Sequence, residues 1–287
     1  MKVLNIENLN KKYEKFELKN ISFSLDEGKI IGFIGRNGAG KTTTIKSIMN
    51  FIKIDNGNVT FFEKYNRDNI NKIKKYIGFV SGGIDYYSLK PIKVITSVTK
   101  RFYSNWDDKS YMYYIKKFGI DENKKPSELS EGMKVKYSLI LALSHNAKLL
   151  ILDEPTSGLD PVSREELLDI FLDLAEKEKV TIFFSTHITS DLERCADNII
   201  YIKNGNIILN KTYDDLINEF KCIRIKKDYY TKEDNKNLIG IKRTKYGYEG
   251  IIRCSDDVKD YYEVMNTDLE SIMIHLERDE NDEKYII

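Results

Sequence analysis

An α/β fold built on a parallel sheet with helices on both faces is predicted by three features of the sequence. Continuous apolar runs at Ile30–Ile34, Leu149–Leu152 and Val180–Phe184 read as strands buried on both sides. Helical periodicity separates them, at Ile45, Ile48 and Met49, along Ser127–Asn146, and at Leu167, Phe171 and Leu174. The first run also passes directly into a glycine-rich segment, Gly35–Thr44, that opens a helix, and such alternation of strand and helix favours a parallel sheet.

The other elements follow in chain order. Residues 2–34 read as strands, with Ile21, Phe23 and Leu25 alternating with polar residues. Thr96–Ile120 is helical in pattern and rich in aromatics. Asp160 is placed as an N-cap with Pro161 at the first helical position, where a missing N–H breaks no bond. Asn204-Gly205 lies between NIIYIK and NIILN, which predicts a type I′ hairpin. After about Phe220 come short, charged, β-like segments, CIRIKK, LIGIKR and EGIIRC, with a Tyr-Gly-Tyr turn. A last helix carries Leu269, Ile272, Met273 and Leu276 on one face behind a Thr267/Glu270 capping box. The expected division is a main domain over 1–220 and a small α+β accessory domain over 221–287.

Composition narrows the function. At 287 residues the chain is long enough for a sizeable core and too short for a fused transporter. Its 46 basic and 45 acidic side chains leave a formal charge of +1, so bulk charge draws it to neither nucleic acid nor an anionic membrane. Any anion must be caught locally. No stretch approaches the ~20 apolar residues of a membrane-spanning helix. MKVLNIENLNKKYEK carries no apolar core of a signal peptide, so the cytoplasm is the expected location. Cys195, Cys222 and Cys254 are widely spaced and lack a CxxC, which suggests neither a disulfide framework nor a zinc site.

Gly35–Thr42 satisfies GxxxxGK[ST], the Walker A phosphate loop, between a strand and a helix as its mechanism requires. Glycines let successive N–H groups point at phosphate oxygens, the helix N-terminus adds partial positive charge, Lys41 neutralises phosphate and Thr42 can ligate Mg²⁺. The candidate nucleotide contacts are Gly35, Asn37, Gly38, Ala39, Gly40, Lys41, Thr42 and Thr43. LLILDE ends a strand in Asp153 and Glu154, at the carboxyl edge where α/β sheets bind ligands. Asp153 is the candidate Mg²⁺ ligand, through water, and Glu154 the candidate general base.

LSEGM, Leu129–Met133, opens a helix ahead of that strand, with Ser130 placed as its N-cap. Here the chain resembles the ABC ATPases, whose signature is usually LSGGQ; Ser130 and Gly132 match it, and Glu131 and Met133 depart from it. The resemblance covers residues 1 to about 218 and includes Tyr13 in KKYEKF, SGLD at Ser157–Asp160, and His187 after the third buried strand, in the family's order. It implies a P-loop NTPase (ABC ATPase) core with antiparallel β and helical subdomains, the helical one at about 88–146. It also implies ATP and Mg²⁺, and a head-to-tail dimer, homomeric or heteromeric, with two ATPs at its interface. Tyr13 would stack on adenine. The helix start at Ser130 and Gly132 would face the γ-phosphate held by the opposite subunit. Asp160 would line the interface, and His187 would contact the γ-phosphate and hold the attacking water in line with Glu154.

One departure is marked. The family usually carries a glutamine after a strand like YIGFV, and the register here places Gly82 at that position. Ser81, Asp85 or a water would substitute, or coupling of transport to hydrolysis is looser. The resemblance further implies the ATP-hydrolysing subunit of an ABC transporter, peripheral on the inner face of the cell membrane and driving a separate transmembrane permease. Tyr86, Tyr87 and Leu89, and the stretch around Phe102, Tyr103 and Trp106, lie where the family docks that permease. SEGMK, FYSNWD and the altered glutamine loop are similar to a subset of bacterial exporters, including those of antimicrobial or amphipathic peptides such as phenol-soluble modulins. The alternative is a soluble ABC ATPase acting on ribosomes, DNA or iron–sulfur assembly. A single cassette, the lack of a long coiled-coil insertion and the +1 charge weigh against it, and no nucleic acid is expected as a partner. A kinase or GTPase sharing only the phosphate loop leaves LSEGM, SGLD and His187 unexplained.

Overall fold

Every residue of the runs Ile30–Ile34, Leu149–Asp153 and Thr181–Thr186 is buried, and these three strands lie side by side at the centre of the protein. The computed structural model describes residues 1–81 and 87–279. In chain order, β1 (Lys2–Lys12) and β2 (Glu17–Asp26) precede β3 (Ile30–Ile34) and α1 (Lys41–Ile48); β4 (Asn56–Phe61), β5 (Tyr65–Asn66) and a short α2 (Ile70–Ile73) lead to β6 (Ile77–Ser81). Helices α3 (Ile92–Lys100), α4 (Asp108–Phe118) and α5 (Glu131–Ser144) come before β7 (Leu149–Asp153), α6 (Pro161–Glu178), β8 (Thr181–Thr186) and α7 (Thr189–Cys195). The hairpin β9 (Asn198–Lys203) and β10 (Asn206–Thr212) is followed by α8 (Tyr213–Glu219), β11 (Phe220–Lys226), α9 (Asp234–Asn237), β12 (Ile239–Thr244), β13 (Gly247–Arg253), β14 (Glu263–Met265) and α10 (Leu269–Arg278).

The central sheet has the order β10-β9-β3-β8-β7-β6 and is parallel except for β10. Its register sets Ile34 beside Thr186 and Asp153 beside Ser185, so the segments after β3, β7 and β8 leave the sheet at one edge. On one face Ile30, Ile34, Leu152 and Phe184 pack with α5, α6 and α7. The other face carries Ile31, Phe33, Ile151 and Phe183, which pack with Ile45 and Ile48 of α1 and with the antiparallel sheet β2-β1-β4-β5. Helices therefore lie on both faces as expected, and on this one α1 shares the cover with the antiparallel sheet. The cause lies in β2, whose inward Phe23 meets Phe33 and Phe183 at ring-centroid distances of 6.0 and 5.5 Å.

Some boundaries also shift. The helical pattern over Thr96–Ile120 is two helices, because Asp107 leaves the helical conformation and accepts the Lys109 N–H at 2.9 Å to cap α4. Residues 126–128 form a 3₁₀ turn, and α5 begins at Glu131 rather than Ser127. The cap of α10 is Asp268, which accepts from Ser271 N–H at 2.7 Å; Thr267 instead accepts the Cys222 N–H at 3.0 Å and ties the helix start to β11. Asn204 and Gly205 have φ of 49° and 75°, as the predicted hairpin turn demands.

The third sheet, β12-β13-β11-β14, has a small apolar cluster of its own around Ile223, Ile225, Leu238, Ile252 and Tyr262. The pin beneath it is Asp234, fully buried. Burial alone would raise its pKa, but Lys259 at 2.8 Å, the Thr231 N–H at 2.8 Å, Tyr262 at 2.7 Å and Tyr261 at 2.9 Å hold the carboxyl well below the usual range. The opposite side of this unit is continuous with the main core: Phe220, Cys222, Ile251, Leu269, Ile272 and Leu276 share one cluster with Leu192, Tyr201 and Leu216. Among the described residues, no helix is long and apolar enough to cross a membrane.

Candidate active site

The glycine loop is shaped by contacts that only glycine permits. A Cβ at Gly35 would stand 2.3 Å from the Ile202 carbonyl oxygen. At Gly40, where φ is +117°, it would meet the Leu18 and Phe16 side chains at 2.7 and 2.8 Å. Gly40 caps α1 without a side-chain bond, so the N–H groups of the first turn point outward, as an anion site requires. Lys41 is only 6% exposed and folds back over the loop, donating to the carbonyls of Gly35 at 2.7 Å and Arg36 at 3.3 Å.

Three residues at the carboxyl edge of the sheet, Asp153, Glu154 and His187, surround the loop, and Glu154 reaches the lysine itself. Asp153 accepts from Thr42 Oγ1 at 3.2 Å and from Ser185 Oγ at 2.7 Å. Glu154 has φ of +52°, a left-handed conformation costing about 1–3 kcal/mol for a non-glycine residue, and its N–H donates to Ser185 Oγ at 2.9 Å. That strained turn aims the carboxylate into the cleft, where Oε1 lies 3.1 Å from Lys41 Nζ and Oε2 accepts from His187 Nδ1 at 2.9 Å. The cleft has a volume of about 650 Å³ and is lined by Lys15, Phe16, Arg36, Asn37, Gly38, Gly40, Lys41, Thr42, Thr43, Glu154, Ser157 and His187.

Other candidates lie elsewhere. Tyr13 is 43% exposed in the turn between β1 and β2, with Lys11 Nζ 5.4 Å from its ring centre; Phe16, from the same turn, is the aromatic that lines the cleft. Ser130 caps α5, accepting the Met133 N–H at 3.3 Å, and neither it nor Gly132 lines the cleft. Gly132 packs so closely on α6 that a Cβ there would be 3.2 Å from the Ser163 Cβ. Asp160 caps α6 through the N–H groups of Val162 and Ser163, both at 3.0 Å, and the Ser163 hydroxyl holds its carboxyl below the usual range. Ser81 ends β6 in register with Asp153 on the adjacent strand, whereas Gly82, Asp85 and Tyr86 lie outside the described residues.

One buried carboxylate escaped the sequence reading. Asp191, fully buried on α7, accepts from Thr156 Oγ1 at 2.6 Å and Thr186 Oγ1 at 3.3 Å and forms an ion pair with Arg164 Nε at 2.6 Å. It thereby ties the turn after Glu154, the residue before His187, and the helix capped by Asp160. Asp191→Ala is expected to cost about 3 kcal/mol in urea denaturation. That is the low end for breaking a buried pair, because Arg164 keeps access to water.

Fold and site together define a nucleoside triphosphatase of the P-loop class. A family model described as ABC transporter matches residues 18–157. The chain is 34% identical over 216 residues, 74% of its own length and 92% of the relative's, to the lantibiotic transport ATP-binding protein SrtF of Streptococcus pyogenes. It is 30% identical over 217 residues, 75% of its length and 71% of the relative's, to the bacitracin transport ATP-binding protein BcrA of Bacillus licheniformis. Among solved structures, an ATP-binding subunit of an ABC transporter superposes with TM-score 0.66 at 26% identity, covering 75% of this chain and 91% of that one. The cbiO1 subunit of Clostridium perfringens gives 0.65 at 26%, with 75% and 90% covered. The chain belongs to the ABC transporter ATP-binding family, and it is an ATP-hydrolysing subunit.

Proposed function

We propose that two such subunits bind two ATPs head to tail and drive a separate permease that exports a peptide. The observation that carries this is the division of the site: Lys41, Thr42, Glu154 and His187 line one cleft, with Asp153 hydrogen-bonded to Thr42 behind it, while Ser130 and Gly132 lie outside it at the start of another helix. A second subunit would bring that helix start to the γ-phosphate. In this reading Gly35, Asn37, Gly38, Ala39 and Gly40 present backbone groups to the phosphates, with Lys41, Thr42 and Thr43 beside them. Tyr13 and Phe16 flank the base, and Asp160 lines the junction between subunits.

Thr42 and Asp153 fit Mg²⁺, since a hydroxyl and a carboxylate already meet there as hard oxygen donors from two elements. The metal would neutralise charge developing between the β- and γ-phosphates. Glu154 takes the proton of the attacking water, and His187, donating from Nδ1, fixes the carboxylate that does so.

An apolar stripe supports docking at the membrane. Val94, Val98 and Phe102 follow at four-residue spacing along α3 and beyond its end, and are 41%, 42% and 81% exposed; Leu89 is 74% exposed nearby in sequence. Tyr103 and Trp106 turn inward instead, Tyr103 stacking on His145 at 3.9 Å. Residues 221–287 are read as the accessory unit. The export of a peptide rests on the transport named for SrtF and BcrA. Purification from native membranes in mild detergent is expected to recover a polytopic hydrophobic subunit, and Val98→Asp with Phe102→Asp to lose it. Recovery of ribosomes or DNA with no membrane protein would overturn the reading.

A further inference from the structure

Residues 102–107, FYSNWD, join α3 to α4 and close the far end of the helix that Ser130 begins. The Asp107 N–H donates to the Ser144 carbonyl at 2.7 Å, and Asn105 Nδ2 donates to the His145 carbonyl. Two carbonyls that the end of α5 leaves without a helical partner are thus capped by a stretch of chain far away in sequence. The same Asn105 amide donates to the Lys75 carbonyl at 2.9 Å, just before β6. The Tyr103 ring lies flat on the buried His145 imidazole, with 3.9 Å between centroids and 5° between planes, and His145 Nε2 donates to the Ile77 carbonyl at 3.3 Å. The end of α3, the end of α5 and the start of β6 therefore meet in one clamp.

The exposed apolar stripe on α3 runs straight into this clamp. Phe102, its most exposed member, directly precedes Tyr103. Successive three-residue turns wind the connection: the N–H groups of Arg101, Phe102, Tyr103 and Trp106 donate to the carbonyls of Val98, Thr99, Lys100 and Tyr103 at 3.0–3.2 Å. A chain wound this tightly has no slack to absorb a push on Phe102. Midway along α3, the buried Thr96 hydroxyl lies 2.8 Å from that of Tyr137 on α5 and 3.1 Å from that of Tyr111 on α4, so the three helices are pinned to one another as well. With a rise of about 1.5 Å per residue α5 is about 21 Å long, and turning it by about 5° on its clamped end carries the Ser130 end by roughly 2 Å. From the same clamp β6 runs to Ser81, in register with Asp153.

We propose that Tyr103 and Asn105 are positioning residues for hydrolysis, the fulcrum on which contact at Val98 and Phe102 swings the helix start at Ser130 and Gly132. The FYSNWD segment is then the relay between the membrane subunit and the nucleotide. This inference rests on the docking reading under Proposed function. Neither residue lines the nucleotide cleft, so changing them leaves the phosphate site itself in place. Small motions suffice for such a relay, because a misplacement of about 1 Å at a reacting centre can cost about 10²-fold in rate.

The test compares phosphate release from Mg²⁺-ATP by the full chain alone and by its complex with the membrane subunit recovered in mild detergent. The quantity read is the ratio of the two turnover rates. Tyr103→Ala, which removes the stacked ring, and Asn105→Asp, which keeps the shape but loses the donor, are each expected to bring the parent's ratio about tenfold or more closer to one. The membrane subunit should still co-purify with both, and the KM of the chain alone for ATP should be unchanged. Tyr103→Phe, which keeps the ring, is expected to keep the parent's ratio. A ratio unchanged in both loss variants overturns the inference, as does turnover that falls by one common factor with and without the membrane subunit, which marks a merely structural role. Loss of the membrane subunit from the variants overturns it too, by placing these residues in docking rather than relay, and so does a parent whose ratio is already one. A parent that recovers no membrane subunit removes the docking reading, and the inference with it.

Discussion

Glu154→Gln is expected to stop ATP hydrolysis while leaving ATP bound, and so to accumulate a stable ATP-loaded dimer. The substitution keeps the size of the side chain and its acceptor toward His187, but an amide does not take a proton from water. Losing a positioned general base typically costs a factor of about 10²–10⁴ in turnover. The geometry makes Glu154 the group to lose: its turn is held left-handed, its two oxygens face Lys41 at 3.1 Å and His187 at 2.9 Å, and it sits at the carboxyl edge beside the glycine loop. Phosphate release measures the first half of the expectation and light scattering the second. Hydrolysis within a fewfold of the unmodified chain would remove Glu154 from the role of base.

Lys41→Ala is expected to weaken ATP binding by about 10²–10⁴-fold. Each charge-assisted hydrogen bond to phosphate contributes roughly 1.5–3 kcal/mol, and two are in reach of one ammonium at this position. A second effect adds to this, because Lys41 braces the loop through the carbonyls of Gly35 and Arg36, which alanine would leave without that donor. Lys41→Arg is expected not to rescue binding, since a planar guanidinium does not fit where a compact ammonium 6% exposed lies under the loop. Equilibrium titration with a fluorescent ATP analogue measures both variants. Affinity within tenfold of the parent for Lys41→Ala would show that the backbone groups alone hold the phosphates.

The parts of this architecture that the sequence makes legible are those whose signal is local. A five-residue apolar run such as Leu149–Asp153 has nowhere to go but a sheet interior, and the Asp160-Pro161 pair states its own helix start. Where two residues compete for one job, the local signal is off by one: Thr267 and Asp268 can each cap α10, and only the tertiary bond from Cys222 decides between them. In the covering sheet the alternation is legible in β2, at Ile21, Phe23 and Leu25, and blurred in β1, which is bulged. Its partners shift between Ile6 and Leu9 and again before Lys11, which scrambles strict alternation. Asp191 reads in sequence as one more charge on a polar helix, and its burial exists only once Arg164, Thr156 and Thr186 are brought to it. Tyr103 and Trp106 teach the same lesson for aromatics, since helical spacing does not say which face is inside.

Gly132 and Ser163 occupy what is in effect a single volume shared by two helix starts. A methyl group at 132 would press on the Ser163 Cβ at 3.2 Å, and Ser163 is not free to retreat because its hydroxyl is held by Asp160 at 2.6 Å. Drift at these two positions is therefore coupled: side-chain bulk gained at 132 pushes on 163, and shrinking 163 to glycine removes one of the three hydrogen bonds that hold Asp160. The signature helix and the helix capped by Asp160 are linked in the way two cogs are, so that a shift of one start is passed to the other.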